Sequence, residues 1–586
     1  MATTTRLFKR LPCGKSNFRD IILSGYAYID KTRFIEELEK EDNPNHFFIR
    51  PRKFGKSTFF TTLRSYYDLN AKDEFEQIFG NLYIGKHPTP ERNSYAIMEF
   101  DFSGLNTSSE EAFARDFSQA VQETVCAFLR AYKHIIPEAE DLLQQIFGKD
   151  PKVDVLTTAF SLAFDGGIKI YVIIDEYDHF ANDLIAMGTL AGKDFYKTMV
   201  AANGMVRDFY ERIKTATKKS AYRTFITGIS PVMLDDLTSG YNIAKILTLN
   251  PKYNEMLGFT QAEVDTLMRE TGVDPALINV DMETYYNGYL FHQDGENRVY
   301  NPSMILYFFS QILDMGKPPE NIIDPNLHTD YGRLQRLAKN DKNRETMLQI
   351  IRDGSIVSEI LEKFPIDMID DDSYFISLLF YMGMLTVDEP YQFQLKLRIP
   401  NYSIKVQYWE YLAKYVLTTS PDITVKSRPL QDAIYALAMK GDVQQFVAYI
   451  SENAFSKLSD YDLQRFDEKY IQVLMLAYLF MSNIYIPMSE YEAVPGRTDI
   501  FLQRNPLYPE IRCEWVFEIK YCKTSARDSE IAEKRAEGLG QLKQYLQSYR
   551  IKDRPGLKGV LLFFTGKNKF EITETGNTVA VDDKKK

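Results

Sequence analysis

His46-Phe47-Phe48-Ile49-Arg50-Pro51-Arg52-Lys53-Phe54-Gly55-Lys56-Ser57 is a short apolar run that breaks into a basic loop and ends in Gly-Lys-Ser. A strand, such a loop and then a helix make a cradle for phosphate. Backbone amides at the helix start face the anion, a lysine supplies charge, and a hydroxyl reaches Mg²⁺. Gly55, Lys56 and Ser57 supply the last three elements, and Thr58 opens the helix expected over residues 58–67. Arg52 and Lys53, like Arg50, either add charge toward a phosphate or pair with acids on the surface. The glycine usual six positions before the lysine is Arg50 in this chain. Gly-Lys-Ser alone is common, so the reading leans on two strands further along the chain.

The first of them, Ile170-Tyr171-Val172-Ile173-Ile174-Asp175-Glu176, is an apolar strand ending in two acids. Asp175 is placed to orient the water shell of Mg²⁺, and Glu176 to polarise an attacking water. Thr224-Phe225-Ile226-Thr227-Gly228 is the second, and Thr227 at its end is suited to sensing a γ-phosphate. Strands are expected at 46–49, 97–102, 170–174 and 224–227, with amphipathic helices at 109–132 and 195–216 between them. That alternation is the pattern of an α/β domain with a parallel sheet, here over residues 1–245. From about 250 to 450 helices dominate. Thr260 and Glu263, in Gly258-Phe259-Thr260-Gln261-Ala262-Glu263, are spaced as a capping box.

Beyond residue 455 the expected order is a long helix, two strands, a helix and a last strand at 559–565. Trp515-Val516-Phe517-Glu518-Ile519-Lys520 alternates, so Glu518 and Lys520 share one face while Trp515, Phe517 and Ile519 pack behind. The preceding strand, Arg497-Thr498-Asp499-Ile500-Phe501-Leu502, carries one acid. Phosphodiester hydrolysis wants a divalent metal, Mg²⁺ or Mn²⁺, on carboxylates and a cation near the phosphate. Asp499 and Glu518 are the candidate ligands, with Lys520 beside them to position water or stabilise charge. The plainer alternative is a pair of amphipathic strands with solvated charges. Lys520, Lys523, Arg527, Lys534 and Arg535 interleave with Asp528, Glu530 and Glu533. That reads as a salt-bridged helix face or as a groove that tracks a nucleic-acid strand.

The 586 residues allow several domains, and 45% hydrophobic with 26% charged residues is ordinary for a globular chain. A net charge of −11 excludes indiscriminate polyanion binding, so any nucleic-acid contact must be local. No apolar run reaches the ~18–20 residues of a membrane helix. The first ten residues lack the apolar core of a secretory signal. Cys13, Cys126, Cys513 and Cys522 form no paired metal or disulfide motif. The expectation is an intracellular, cytoplasmic protein without a membrane partner, with the nucleus an alternative in a eukaryotic source.

Taken together, Leu11-Pro12-Cys13-Gly14, Tyr28-Ile29-Asp30-Lys31-Thr32, the 50–57 loop, Ile174-Asp175-Glu176-Tyr177-Asp178 and Ile226-Thr227-Gly228-Ile229-Ser230-Pro231 resemble the AAA-ATPase-like family. Tyr286-Asn287-Gly288-Tyr289 and Val299-Tyr300-Asn301-Pro302 resemble its lid-region motifs. Members typically carry a C-terminal PD-(D/E)xK nuclease domain, and Gly496-Arg497-Thr498-Asp499 followed by Val516-Phe517-Glu518-Ile519-Lys520 resembles that core. Gln541-Leu542-Lys543-Gln544-Tyr545 is similar to a downstream element of one branch, and Glu468 matches the acid on the helix before the core strands, a further metal ligand. In this family an arginine commonly replaces the first loop glycine.

The resemblance implies an α/β multidomain chain. It would comprise a P-loop NTPase sheet (1–245), a helical lid and connector (246–450), a restriction-endonuclease-like α/β domain (451–575) and a tail (576–586). It implies ATP and Mg²⁺ as cofactors and DNA or RNA as partner, with a homo-oligomer left open. One alternative is a nucleotide-dependent switch or assembly module whose nuclease fold binds without cutting. A mobile-element or defence role rests on analogy alone.

Overall fold

Where short β-branched and aromatic runs predict strands, strands form: β1 (Asn45–Ile49), β2 (Ala96–Asp101), β3 (Ile170–Asp175), β4 (Ala221–Gly228) and the short β5 (Lys245–Ile246). The computed structural model describes residues 8–148, 154–187, 190–200, 204–233, 241–278, 280–319, 321, 323–324, 341–363, 371–419, 427–457, 467–482, 484–493, 495–566, 569–574 and 577–582. The chain divides into two units, residues 1–344 with 357–401, and residues 345–356 with 402–586.

In the N-terminal unit the five strands run in the order β2-β3-β4-β1-β5, and every neighbouring pair is parallel. Parallel neighbours are joined by crossovers that cover both faces, which is why β1 and β3 are buried at every position and read as unbroken apolar runs. β4 lies between β1 and β3, so the C-terminal ends of all three meet at one edge of the sheet. Loops at that edge of an open parallel sheet are where ligands bind. α1 (Lys56–Tyr67) leaves β1 from there. The helix expected at 195–216 is two helices, Leu190–Val200 and Met205–Ala216, with Gly204 capping the second. Gly204, whose backbone is extended, is a poor helix interior residue and a tolerated start.

Of residues 246–450, expected to be helical lid and connector, 345–356 and 402–450 belong to the other unit, and 246–344 and 357–401 to this one. They include the helix Gln261–Thr271, where the Thr260–Glu263 capping box forms, and Pro302–Met315. They also hold an antiparallel hairpin, β6 (Thr386–Tyr391) and β7 (Gln394–Arg398).

The C-terminal unit contains α2 (Glu468–Phe480) and α3 (Asp528–Leu546). Its strands are β8 (Tyr485–Ala493), β9 (Gly496–Arg504), β10 (Glu514–Cys522), β11 (Leu557–Thr565), β12 (Lys569–Glu574) and β13 (Asn577–Asp582). They form one sheet ordered β13-β12-β11-β10-β9-β8, antiparallel except for β10–β11, which α3 connects as a crossover.

Three of these strands escaped the sequence reading. β8 and β13 are edge strands, where polar residues and, at Pro487, a proline are tolerated, so the alternating signal is weak. Asn577–Asp582, expected as tail, pairs with β12 instead; residues 583–586 lie outside the described set. On β10, Val516 joins a core with Leu542 and Tyr545 of α3, so Glu514, Val516, Glu518 and Lys520 share the α3-covered face. Among the described residues no helix is long and apolar enough to cross a membrane.

Candidate functional site

Between β1 and α1 the chain turns through left-handed conformations at Lys53 (φ 63°) and Gly55 (φ 93°). Alternation of this kind bends successive amides toward a common concavity. The carbonyls of the loop are all engaged elsewhere. Lys56 Nζ donates to the Arg50 and Pro51 oxygens at 3.0 and 2.9 Å. Asn301 Nδ2 donates to Arg52 O at 3.4 Å, Ser303 Oγ to Lys53 O at 3.3 Å, and the Gly258 N–H to Phe54 O at 3.4 Å. With five consecutive acceptors already bonded, two of them to Lys56 itself, the loop leaves its amides to meet an anion.

Arg50 is 1% exposed and points into the protein. Its Nη1 donates to Ile49 O (2.9 Å) and Thr248 O (2.8 Å), and its Nη2 to Tyr253 O (2.9 Å). The guanidinium lies between the rings of Phe48 and Phe291, 4.2 and 3.9 Å from their centroids. Burial lowers its pKa to about 9, so it stays charged near neutrality. Neither expected role, phosphate charge or surface pairing, survives for Arg50. Carbonyl dipoles and ring faces meet its charge where a carboxylate or phosphate was expected.

Opposite the loop, Ser57 Oγ donates to Asp175 Oδ2 at 2.9 Å. Asp175 is 7% exposed, and burial raises its pKa to about 6 against the pull of Lys56. Burial likewise lowers the pKa of Lys56, opposed by Glu176 and Asp175. Glu176 holds a left-handed backbone (φ 51°), and its Oε2 meets His179 Nδ1 at 3.2 Å. That bond lowers the pKa of Glu176 and raises that of His179, whose Nε2 lies 3.5 Å from Asp183 Oδ2.

Arg52, Lys53, Gly55, Lys56, Ser57, Thr58 and Glu176 line one cavity of about 850 Å³, and His179 joins them. Asp175 stands behind Ser57. Thr227 is buried, with its hydroxyl donating to Phe48 O at 2.7 Å between β4 and β1. The sequence reading missed His179, although its position three residues after Glu176 is the spacing that lets two side chains meet within one turn. Asp178 was quoted only as part of a motif. It is 1% exposed and accepts from the Ile229 and Ser230 amides, Ser230 Oγ and Asn182 Nδ2.

In the C-terminal unit β9 and β10 pair up to Ile500 opposite Phe517, and Asp499 and Glu518 are the next residues beyond that end of the ladder. Asp499 Oδ2 accepts the Ile519 N–H at 2.6 Å, and Gln472 of α2 donates to Asp499 O at 2.6 Å. Lys520 Nζ lies 2.8 Å from Glu518 Oε1. Glu518 is 2% exposed; burial raises its pKa, and Lys520 pulls the other way. Burial works against the charge of Lys520, but its bond to Glu518 and the fields of Glu518, Glu468 and Asp499 outweigh that and raise its pKa.

Glu468 Oε1 accepts the Tyr521 N–H (3.0 Å) and Lys534 Nζ (2.9 Å), pinning the first turn of α2 to β10 and α3. Lys534 and Arg535, the latter on Glu571 at 2.6 Å, are salt-bridged, but to neighbouring elements and not along their own helix.

Among the described residues no group of three or more His, Cys, Asp or Glu side chains is gathered for a metal, so Glu468, Asp499 and Glu518 do not close on one point. One atom nevertheless fits a cation. Glu518 Oε2 is buried and has no hydrogen-bond partner. A carboxylate oxygen removed from water without a donor is what a divalent ion satisfies.

Comparison with known proteins falls along the same division. Residues 12–238 match the AAA-ATPase-like family, described as a predicted AAA-ATPase, and residues 466–574 match the PD-(D/E)XK nuclease superfamily. A protein of Azotobacter chroococcum mcd 1, described as an uncharacterized protein in the vnfD 5′ region, is 23% identical over 476 residues, 79% of this chain and 82% of that protein. A Walker-type ATPase of Pyrococcus abyssi aligns in structure over 64% of this chain and 94% of its own, with 12% identity and a TM-score of 0.35. The chain thus joins an AAA-ATPase-like domain, carrying the phosphate loop, to a C-terminal PD-(D/E)XK nuclease-superfamily domain, carrying Asp499, Glu518 and Lys520.

Proposed function

We propose that the N-terminal unit binds and hydrolyses ATP and that the C-terminal unit cleaves nucleic-acid phosphodiesters, DNA or RNA, with a divalent metal, Mg²⁺ or Mn²⁺. The observation that carries the second half is the juxtaposition of Asp499 and Glu518 on paired strands, with Lys520 on Glu518 and one buried Glu518 oxygen left without a donor.

In the first site ATP draws Lys56 off the Arg50 and Pro51 carbonyls, and the loop amides take the phosphate oxygens. Ser57 and Asp175 would hold Mg²⁺. Glu176, once released from His179, accepts the proton of the attacking water. In the second site Asp499 and Glu518 would hold the metal, and Glu468 would join them only by turning from the Tyr521 N–H and Lys534; a metal there would lower the pKa of water and neutralise phosphate charge. Lys520 orients the water or meets the charge building on phosphorus. Free cysteines, three of them buried, accord with a reducing compartment.

The test is metal-dependent cleavage of single- and double-stranded DNA and RNA by wild type and Asp499→Ala, with ATP turnover measured in parallel. Loss of cleavage in Asp499→Ala with turnover intact is the expected result; equal cleavage by both removes the site. A second reading is favoured by the ungathered acids, namely a nucleotide-dependent switch whose nuclease fold only binds. It predicts binding without cleavage in every metal tried.

A further inference from the structure

The β9–β10 ladder stops at Ile500 and Phe517, and beyond that point side chains take over one edge of β10. Residues two apart on a strand turn their backbone groups to the same side, so Ile519 and Tyr521 face the edge that β9 has left. Asp499 Oδ2 accepts the Ile519 N–H at 2.6 Å, and Glu468 Oε1 accepts the Tyr521 N–H at 3.0 Å. Lys534 of α3 completes the edge: its Nζ donates to Tyr521 O and to Glu468 Oε1, both at 2.9 Å. Gly538, one turn along on the same side of α3, brings the helix down onto the Lys520 stem. A β-carbon there would stand 2.9 Å from Lys520 Cγ.

One oxygen of Glu468 thus holds both an amide and an ammonium. The two amides taken by Asp499 and Glu468 are about 7 Å apart, two steps of ~3.3 Å. Two oxygens on one divalent ion lie within ~5 Å of each other, each ~2.0–2.6 Å from it. Glu468 therefore stands beside the site and not in it, in keeping with the acids not being gathered among the described residues. It is close enough for its charge to push up the pKa of both Glu518 and Lys520. Its ion pair with Lys534 is open to water, the side chains being 39% and 34% exposed on the lysine and the glutamate. A pair that exposed is weak, and a strand phosphate competes for the same ammonium.

We propose that Lys534 is a latch. It holds Glu468 away from Asp499 and Glu518 until a phosphate of the bound nucleic-acid strand takes the ammonium, and Glu468 then turns to the metal. The inference rests on reading Asp499 and Glu518 as metal ligands, and it names the regulation of that site. A protein built this way holds its metal tightly only with the strand in place.

The experiment is calorimetry of Mn²⁺ binding to the full chain without nucleotide, reading the site that Asp499→Ala abolishes. Lys534→Gln removes the charge and keeps a donor for Tyr521 O, while Glu468→Gln keeps an acceptor for the Tyr521 N–H. The expected result is about fivefold tighter binding in Lys534→Gln, the scale of a partly exposed ion pair. No gain is expected when the same change is made on top of Glu468→Gln. A phosphorothioate oligonucleotide, which resists hydrolysis, should tighten Mn²⁺ binding by a similar factor in wild type and leave Lys534→Gln unchanged.

An equal gain with and without Glu468 overturns the proposal, because loss of a positive charge then explains it. An oligonucleotide effect that is the same in wild type and Lys534→Gln, or absent from both, overturns it too. If Asp499-dependent binding is unchanged in Lys534→Gln, the latch falls and the metal site stands. If neither protein binds Mn²⁺ through Asp499, the metal reading falls and takes the latch with it.

Discussion

Replacing Arg50 by methionine separates a structural post from a phosphate ligand. Methionine keeps a long apolar stem between Phe48 and Phe291 but withdraws the guanidinium from three carbonyls. Bonds to a charged donor contribute at least ~1.5 kcal/mol each, and each ring contact ~0.5–1 kcal/mol. Against this, the cost of burying the charge is recovered, about 3 kcal/mol. The balance is a destabilisation of ~3 kcal/mol, which at a slope of ~3 kcal/mol per molar urea moves the midpoint by ~1 M. Because the group is buried, salt should not change the deficit.

The two tryptophans, Trp409 and Trp515, both lie in the C-terminal unit, so their emission reports on that unit. The N-terminal unit is monitored by hydrogen exchange of the peptides covering residues 45–50 and 248–253. The expected result is lost protection in those peptides with the tryptophan-detected transition unmoved. A methionine variant that is as stable as wild type but fails to bind ATP would refute the reasoning and return Arg50 to the phosphates.

The contacts of the N-terminal site lead to three further outcomes. Gly228→Ala sets a methyl group onto Asp178 Oδ1 and the Tyr177 ring, and should cost ~1–3 kcal/mol in the same exchange assay. His179→Ala should destabilise in a pH-dependent way. A histidine whose folded pKa is raised contributes fully below its ordinary 6.5 and loses the contribution as pH rises through the folded value. A glutamate whose folded pKa is lowered contributes fully above its ordinary 4.5 and loses it as pH falls. The difference from wild type in thermal unfolding should therefore be largest between pH 4.5 and 6.5 and shrink on both sides. Lys56→Ala should weaken ATP binding by at least about tenfold, the ~1.4 kcal/mol of one charge-assisted contact, without loss of fold, as read by calorimetry.

How far the residues could be read depended on the range of the forces involved. β1 and β3 were legible because a strand covered on both faces must be apolar throughout. The shared face of Glu518 and Lys520 came from strand alternation, and the Thr260–Glu263 cap from spacing within one turn. These are local rules, complete within a few residues.

The direction of Arg50 was not local, because its acceptors at Thr248 and Tyr253 are 198 and 203 residues away. Nor was the pairing of Glu468 with Lys534, 66 residues on, or the edge strands β8 and β13, whose polar sequences become strands only because a neighbour offers its free backbone. The sequence by itself determined which side chains each strand and helix turns to the same side. Which distant carbonyl, ring or carboxylate meets them was decided only when the chain closed on itself, since a buried charge takes whatever dipoles the fold brings within reach.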